Sequence, residues 1–189
     1  RRGELLALEW KDVDFENNLI HVTKSISLTK DGQPVETKPK TDSEGTVAMP
    51  DWYMRELEAY HRQWKKERLQ VIDRWEGGEK EYVFHNGFGK PWHYTTPTSK
   101  WRKFIEKHGL KYIRLHDLRH TAATLLIEAG ASMKAVQERL RHTRYQTTAD
   151  FYAHVTKKVS KETAAKLEKF DPRNLSPNRP PNEGRGTIS

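Results

Sequence analysis

The C-terminal half of the chain carries, in order, the residue types needed to break and re-form a phosphodiester bond. The side chains are His116, Arg119, His142 and Tyr152, in the segments H-D-L-R-H-T, L-R-H and T-T-A-D-F-Y-A-H. A guanidinium binds the non-bridging oxygens of a phosphate, imidazole moves protons near neutral pH, and a phenol can attack phosphorus to form a covalent ester. This combination predicts an enzyme that cuts and joins DNA.

The composition of the 189-residue chain fits one sizeable globular domain with a polyanionic partner. The formal net charge of +8 and the sequence pI near 9.6 favour DNA, because neutralising phosphates releases counterions. The absence of cysteine excludes disulfides, thiolate nucleophiles and thiolate zinc sites. No apolar run approaches the roughly 20 residues of a membrane helix and no secretory leader is visible, so we expect a cytoplasmic protein without a membrane partner.

The elements expected to position the reactive residues are a small antiparallel sheet followed by helices. The apolar run from Leu19 to Leu28 predicts a strand, Asp31-Gly32 predicts a hairpin turn, and the return strand covers residues 35–40, with a candidate third strand over 46–49. Helices are predicted over residues 51–75, 97–108, 117–129, 133–141 and 161–170. The pattern predicts an α+β fold that is mainly α-helical, with its sheet near the N-terminus.

The helix predicted over residues 117–129 begins directly after His116 and ends at Gly130. Because His116 and Arg119 are three positions apart, they are expected to project from the same side of its first turn. Its predicted buried face consists of Leu118, Ala122, Leu125, Leu126 and Ala129. Tyr152 is expected on a short helix of its own.

Taken with the segment R-R-G-E-L-L at the start, these motifs resemble the catalytic domain of tyrosine recombinases, most nearly the integrases of phages and conjugative transposons. The resemblance covers most of residues 1–170 and implies an N-terminally truncated catalytic domain of bacterial or phage origin. The tail, residues 171–189, is rich in Pro, Asn and Gly, and we expect it to be disordered.

The resemblance implies that Tyr152 is the nucleophile that forms a 3′-phosphotyrosine, with a free 5′-hydroxyl as the other product. Arg1 corresponds to the first catalytic arginine, three residues before Glu4. Arg1 and Arg119 would together clamp the non-bridging oxygens as negative charge builds in the transition state, and His116 would act as general acid and base.

The resemblance also implies roles for a lysine and a second histidine. Lys40 matches the hairpin lysine that protonates the leaving 5′ oxygen, with Lys38 as the competing candidate, and His142 matches a donor to the scissile phosphate. Two positions depart from the family pattern. Arg141 stands where glycine is more frequent, and Thr46 stands where an arginine is often found.

Other interpretations of single residues are weaker. His116 and His120 have the spacing of metal ligands on a helix, but the adjacent glutamate of H-E-x-x-H and a third ligand are missing, so no metal is expected. Tyr145 lies too close to His142 to match the nucleophile's position.

The family implies double-stranded recombination sites as the substrate and integration and excision of a mobile element as the outcome. It also implies a homotetramer on DNA, in which the C-terminal helix docks onto a neighbouring protomer, and it implies no cofactor. A type IB topoisomerase-like enzyme and a non-cutting DNA-binding protein on the same fold are the alternatives.

Overall fold

The computed structural model describes residues 1–39, 45–141, 148–149, 152–153 and 155–157, and this part of the chain forms two antiparallel sheets and five α-helices. The helices are α1 (Arg2–Ala7), α2 (Asp51–Gln70), α3 (Thr96–Lys107), α4 (Asp117–Glu128) and α5 (Met133–Leu140). The strands are β1 (Val13–Asp14), β2 (Leu19–Val22), β3 (Ser25–Leu28), β4 (Pro34–Thr37) and β5 (Gly45–Ala48). The predicted α+β fold, mainly helical, is confirmed, with two small antiparallel sheets where one was predicted.

The long strand predicted over residues 19–28 is divided between the two sheets. β2 lies between β1 and β5, with Leu19 opposite Ala48, whereas β3 forms a two-stranded sheet with β4. Between β2 and β3, the ammonium of Lys24 forms an ion pair with Glu9, a carboxylate that is almost fully buried. Since a buried charge needs a partner, this contact accompanies the bend that separates the strands. The predicted turn at Gly32 is confirmed, with a φ of 77° there.

The main core lies between α2 and the three-stranded sheet. It contains Trp10, Val13, Met54, Leu57, Trp64 and Val83, and the indole N–H of Trp64 donates to the Tyr82 carbonyl at 3.1 Å. The helix buries only part of its apolar residues, because Trp52, Tyr60 and Leu69 are exposed, as is Ile72 just beyond its end. The helix also ends at Gln70, since Val71 leaves the helical conformation and a 3-10 turn follows at Ile72–Arg74.

Helix α1 packs closely against strand β3, and this contact fixes the start of the chain. Leu6 and Ile26 are buried in the same cluster. A β-carbon at Gly3 would collide with the hydroxyl of Ser25 and would lie 2.6 Å from the Ile26 carbonyl oxygen. Only glycine permits this close approach to β3 of the helix that follows Arg1.

A separate apolar cluster joins α4 to α5. It consists of Ala123, Ile127, Val136, Leu140 and Val155. The buried face predicted for α4 is correct only in part: Leu126 packs against this cluster and Leu118 is half-buried, but Leu125 is 60 % exposed and Ala122 and Ala129 are exposed as well. The helix buries the stripe through Ala123 and Ile127 instead, since that stripe faces α5. The predicted end at Gly130, with φ 86°, is confirmed.

The predicted start of α5 is also confirmed. The Ser132 hydroxyl accepts a hydrogen bond from the Ala135 backbone N–H at 3.2 Å, which satisfies one donor of the first turn. The helix predicted over 161–170 and the tail over 171–189 lie outside the described residues. Within the described ranges, no helix is both long enough and apolar enough to cross a bilayer.

His61 on α2 forms part of an aromatic stack. Its ring lies 4.0 Å from that of Trp10 at an angle of 18°, and 5.8 Å from that of Phe15. Burial lowers the pKa of His61, the charge of Lys65 lowers it further, and Glu81 and Glu58 act in the opposite direction. The folded protein therefore favours the neutral imidazole.

The free energy of unfolding should fall as the pH drops below about 6.5, because the unfolded chain then takes up a proton that folded His61 refuses until its lower pKa is reached. Urea unfolding measured at a series of pH values should show that the free energy of unfolding falls less steeply with decreasing pH in His61→Gln than in the unchanged chain. Some slope remains, since burial also lowers the pKa of His85. His93→Gln, at an exposed loop position, should keep the slope of the parent, and an equally steep slope in His61→Gln would contradict the assignment.

Candidate active site

The candidate site begins at the contact between the start of α4 and the end of α5. Arg119 lies in the first turn of α4, and its Nη2 donates a hydrogen bond to the carbonyl of Leu140, the last residue of α5. Carbonyls in the last turn of a helix have no partner within the helix and carry the negative end of its dipole. The end of α5 is therefore a favourable anchor for a guanidinium.

Arg1 is anchored on the carbonyl of the residue that follows Leu140. Its Nη2 donates to the Arg141 carbonyl at 3.1 Å, while its Nη1 forms an ion pair with Glu4 Oε1 at 2.9 Å. The two predicted phosphate-binding arginines, Arg1 and Arg119, are far apart in the sequence. They are brought together on adjacent carbonyls, those of Leu140 and Arg141.

A buried carboxylate lies among these cations. Glu4 is 7 % exposed, and its Oε2 forms a second ion pair with Nη2 of Arg141, whose side chain is 9 % exposed. Burial acts to raise the pKa of Glu4, but the α-ammonium group of Arg1, the hydrogen bond from the Arg1 side chain and the charge of Arg141 outweigh it and lower the pKa below its ordinary value. Glu4 is therefore a carboxylate at neutral pH, linking both arginines.

The electrostatic environment of Arg119 is unusually positive. Burial, followed by the charge of Arg1, lowers the pKa of Arg119 to about 10, with Glu4 acting against this and Arg141 adding to it. Arg119 stays protonated at neutral pH. The three arginines repel one another, and Glu4 alone offsets their charge. This site therefore favours binding of an anion, such as a phosphate group.

His116 directly precedes α4 and is exposed, so both residues of the predicted pair lie at the start of this helix, as the spacing predicts. Burial lowers the pKa of His116, and the charges of His120 and Arg119 lower it further, while Asp117 raises it. At neutral pH the imidazole is therefore mainly neutral and able to accept a proton.

His116 and His120 do not form part of a metal site within the described residues. The rings of His116 and His120 lie edge to face, with centroids 5.7 Å apart. Across the described ranges, no group of three or more His, Cys, Asp or Glu side chains is arranged to hold a metal ion.

Tyr152 packs on the α4–α5 cluster. It has helical backbone conformation, is partly buried against that cluster, and its carbonyl accepts a hydrogen bond from the Thr156 hydroxyl at 2.8 Å. The predicted nucleophile is thus carried by the same packed unit as Arg119. Lys40, His142 and Tyr145 lie outside the described residues.

The structure describes both Lys38, the alternative to Lys40, and Thr46, which stands where the family often has an arginine. Lys38 follows β4 and is exposed. Thr46 lies in β5, where its hydroxyl is 2.9 Å from Nδ1 of His21 on the paired strand. Thr46 therefore takes part in a cross-strand contact rather than in the cluster of arginines.

Comparison with known proteins decides the family. The sequence model of the phage integrase family matches residues 1–159. The chain belongs to the phage integrase family. A tyrosine recombinase XerC-like protein of Caldanaerobacter subterraneus subsp. tengcongensis is 32 % identical over 168 residues, which cover 84 % of this chain and 43 % of that protein. The ICEBs1 integrase of Bacillus subtilis (strain 168) is 34 % identical over 182 residues, covering 89 % of this chain and 45 % of the relative.

Solved structures show the same fold. The Tn1549 transposon integrase in complex with transposon right end DNA matches with a TM-score of 0.64 at 24 % identity, covering 89 % of this chain and 54 % of that one. The XerA recombinase matches with a TM-score of 0.64 at 24 % identity, covering 92 % of this chain and 54 % of that one. The chain spans about half of each of these chains and less than half of the curated relatives above.

Two contacts of this integrase-family site were not predicted from the sequence. One is the ion pair between Glu4 and Arg141, and the other is the hydrogen bond from Arg139 to the Ala48 carbonyl, which ties α5 to β5. The only signal for the first was that Arg141 replaces a frequent glycine. The residue retains the left-handed backbone conformation that glycine favours, with φ 50° and ψ 50°.

Replacing Glu4 with glutamine should lower the free energy of unfolding by roughly 3–5 kcal/mol, because the buried side chain of Arg141 loses its charged partner. Urea denaturation monitored by tryptophan fluorescence measures the change. The matched control is Glu58→Gln, which removes an exposed ion pair to Arg62 on α2 and should cost less than about 1 kcal/mol. Equal effects in the two variants would contradict a structural role for the Glu4 carboxylate.

Proposed function

We propose that this chain is the catalytic domain of a site-specific DNA recombinase that cleaves and rejoins DNA through a covalent 3′-phosphotyrosine, in integration and excision of a mobile element. Residues 1–170 would form that domain and 171–189 a tail. The observation that carries the proposal is the convergence of Arg1 and Arg119 on the adjacent carbonyls of Leu140 and Arg141. Two guanidiniums held side by side suit the two non-bridging oxygens of one phosphodiester.

In the first chemical step, the Tyr152 oxygen attacks phosphorus and displaces the 5′ oxygen of the next nucleotide. One P–O bond forms and one breaks, so the bond energy is kept in the protein–DNA ester. Negative charge accumulates on the non-bridging oxygens in the transition state. Arg1 and Arg119 stabilise it there, each anchored beforehand on a helix-end carbonyl, so little reorganisation is needed.

Proton transfers complete this step. The phenol of a tyrosine has an ordinary pKa of about 10, so its attack near neutral pH requires proton removal. His116 is suited to accept that proton, since burial and neighbouring cations lower its pKa. Lys40 would protonate the leaving 5′ oxygen and His142 would donate a hydrogen bond to the phosphate. In the second step, the free 5′-hydroxyl of a partner strand attacks the phosphotyrosine and releases Tyr152.

The recombinase assignment extends to an assembly. Exchange of strands between two duplexes requires two recombination sites, each cut on both strands, and hence four nucleophiles. We therefore propose a homotetramer on DNA, with the segment after Tyr152 docking on a neighbouring protomer. Names of relatives favour recombination over relaxation of a single duplex, because they include an integrase and a XerC-like tyrosine recombinase.

Trapping of the covalent adduct tests the function. The chain is incubated with a library of nicked duplexes of randomised central sequence, in which cleavage releases a short fragment and prevents religation. A denaturing gel should show a protein–DNA adduct, and sequencing of the trapped DNA identifies the site. Tyr152→Phe should abolish the adduct. Tyr112→Phe, at an exposed tyrosine of the same chain, should leave it unchanged.

Two results would overturn the proposal in different ways. DNA binding without any adduct by the unchanged chain would favour a non-cutting DNA-binding protein. An adduct that persists in Tyr152→Phe would assign the nucleophile to another residue.

Arg119→Ala should reduce the rate of adduct formation by about 10²–10³-fold at saturating DNA, the cost typical of removing one preorganised donor to a developing charge. Arg119→Lys should recover part of the loss, because it keeps the charge without the planar fork. Arg62→Ala, which removes an exposed cation from α2, serves as the control. A reduction equal to that in Arg62→Ala would remove Arg119 from the proposed clamp.

A further inference from the structure

Arg141 occupies a position of this site that is unfavourable for an arginine. Its backbone lies in the left-handed region, at φ 50° and ψ 50°, which side chains with a β-carbon adopt at a cost. One donor of its guanidinium, Nη1, is buried and has no hydrogen-bond partner among the residues that the structure describes. Glycine would remove both costs. Strain and unsatisfied groups of this kind are concentrated at functional sites.

Arg141 makes two separate contacts that determine where Arg1 lies. Its carbonyl accepts the hydrogen bond from Arg1 Nη2 at 3.1 Å. Its guanidinium forms an ion pair with Glu4 Oε2, while the other oxygen of that carboxylate binds Arg1 Nη1 at 2.9 Å. Arg1 is therefore held from both sides, by the backbone of Arg141 directly and by its side chain through Glu4.

The charge of Arg141 also acts on the site as a whole. The cations that influence Arg119 are Arg1 and Arg141, and the carboxylate that offsets them is Glu4. The side chains of this group thus combine three guanidiniums with one carboxylate. A phosphodiester brings one negative charge, and attack on phosphorus concentrates negative charge on its oxygens. The excess positive charge matches that substrate.

We propose that Arg141 is a positioning residue for the phosphate clamp, which fixes Arg1 through Glu4 and adds positive charge behind the Arg1–Arg119 pair. This inference rests on the proposed DNA cleavage function. It assigns a role in this chain to a position where the family more often has glycine, so that the clamp depends here on a third arginine.

The first test compares variants on the DNA site identified by adduct trapping. Arg141→Gly fits the left-handed backbone yet lacks the guanidinium, and it should slow adduct formation on the order of 10²-fold, the scale of a small misplacement of a catalytic group. Arg141→Lys should be intermediate, since it keeps the charge but lacks the fork. Lys134→Ala removes an exposed cation from α5 and should match the unchanged chain. Urea unfolding of each variant establishes that the comparison is between folded proteins.

A second test separates positioning of the clamp from support of the fold. A methylphosphonate at the scissile position replaces one charged non-bridging oxygen with a neutral methyl group. If Arg141 acts through the charge of the clamp, the defect of Arg141→Gly should shrink on this substrate, as should that of Arg119→Ala. Glu4→Gln combined with Arg141→Gly should be no slower than the worse single variant, because the two residues act as a unit.

The outcomes distinguish this inference from the function it rests on. Full activity of Arg141→Gly, an undiminished defect on the methylphosphonate, or multiplicative effects of the Glu4 and Arg141 changes would each overturn the positioning role, while the Tyr152-dependent adduct of the unchanged chain would still stand. Absence of any adduct from the unchanged chain would overturn both.

Discussion

The site depends on the way helix α5 ends. Its last residue, Leu140, and the following Arg141 present adjacent carbonyls that have no partner within the helix, and these accept hydrogen bonds from Arg119 and Arg1. Backbone carbonyls are fixed by the helix, whereas surface carboxylates move with their side chains. An arginine anchored in this way keeps its charge and its direction. One helix end thus sets the separation of two cations that are far apart in the sequence.

Each of the other elements can be understood by what it contributes to this helix end. The cluster of Ala123, Ile127, Val136 and Leu140 packs α4 on α5 and so brings Arg119 to the carbonyl. Gly3 allows α1 to approach β3, and this contact determines where Arg1 lies. The hydrogen bond from Arg139 to Ala48 fixes α5 to the three-stranded sheet. The apolar packing supplies most of the stability, and the polar contacts select one arrangement.

The sequence predicted those features that depend on local signals. Ser132 and Gly130 mark helix ends through a hydroxyl cap and a left-handed backbone, so α4 and α5 were placed nearly correctly, and with them His116 and Arg119. Features that depend on distant partners were missed. The break near Lys24 accompanies an ion pair with Glu9, and the buried stripe of α4 depends on the position of α5, so Leu125 was wrongly placed in the core. Neither can be read from a window of neighbouring residues.

Arg141 combines the two kinds of information. The motif identified it as an unusual residue, but only the fold reveals that its side chain forms an ion pair with Glu4, a carboxylate far away in the sequence. A glycine there would relieve the backbone and would leave Glu4 paired on one side, with Arg1. An arginine makes Glu4 the shared ion-pair partner of Arg1 and Arg141, in a four-residue network whose charges also act on Arg119. Because such a network loses more than one contact when a member is removed, local strain at Arg141 is compatible with a net advantage for the site.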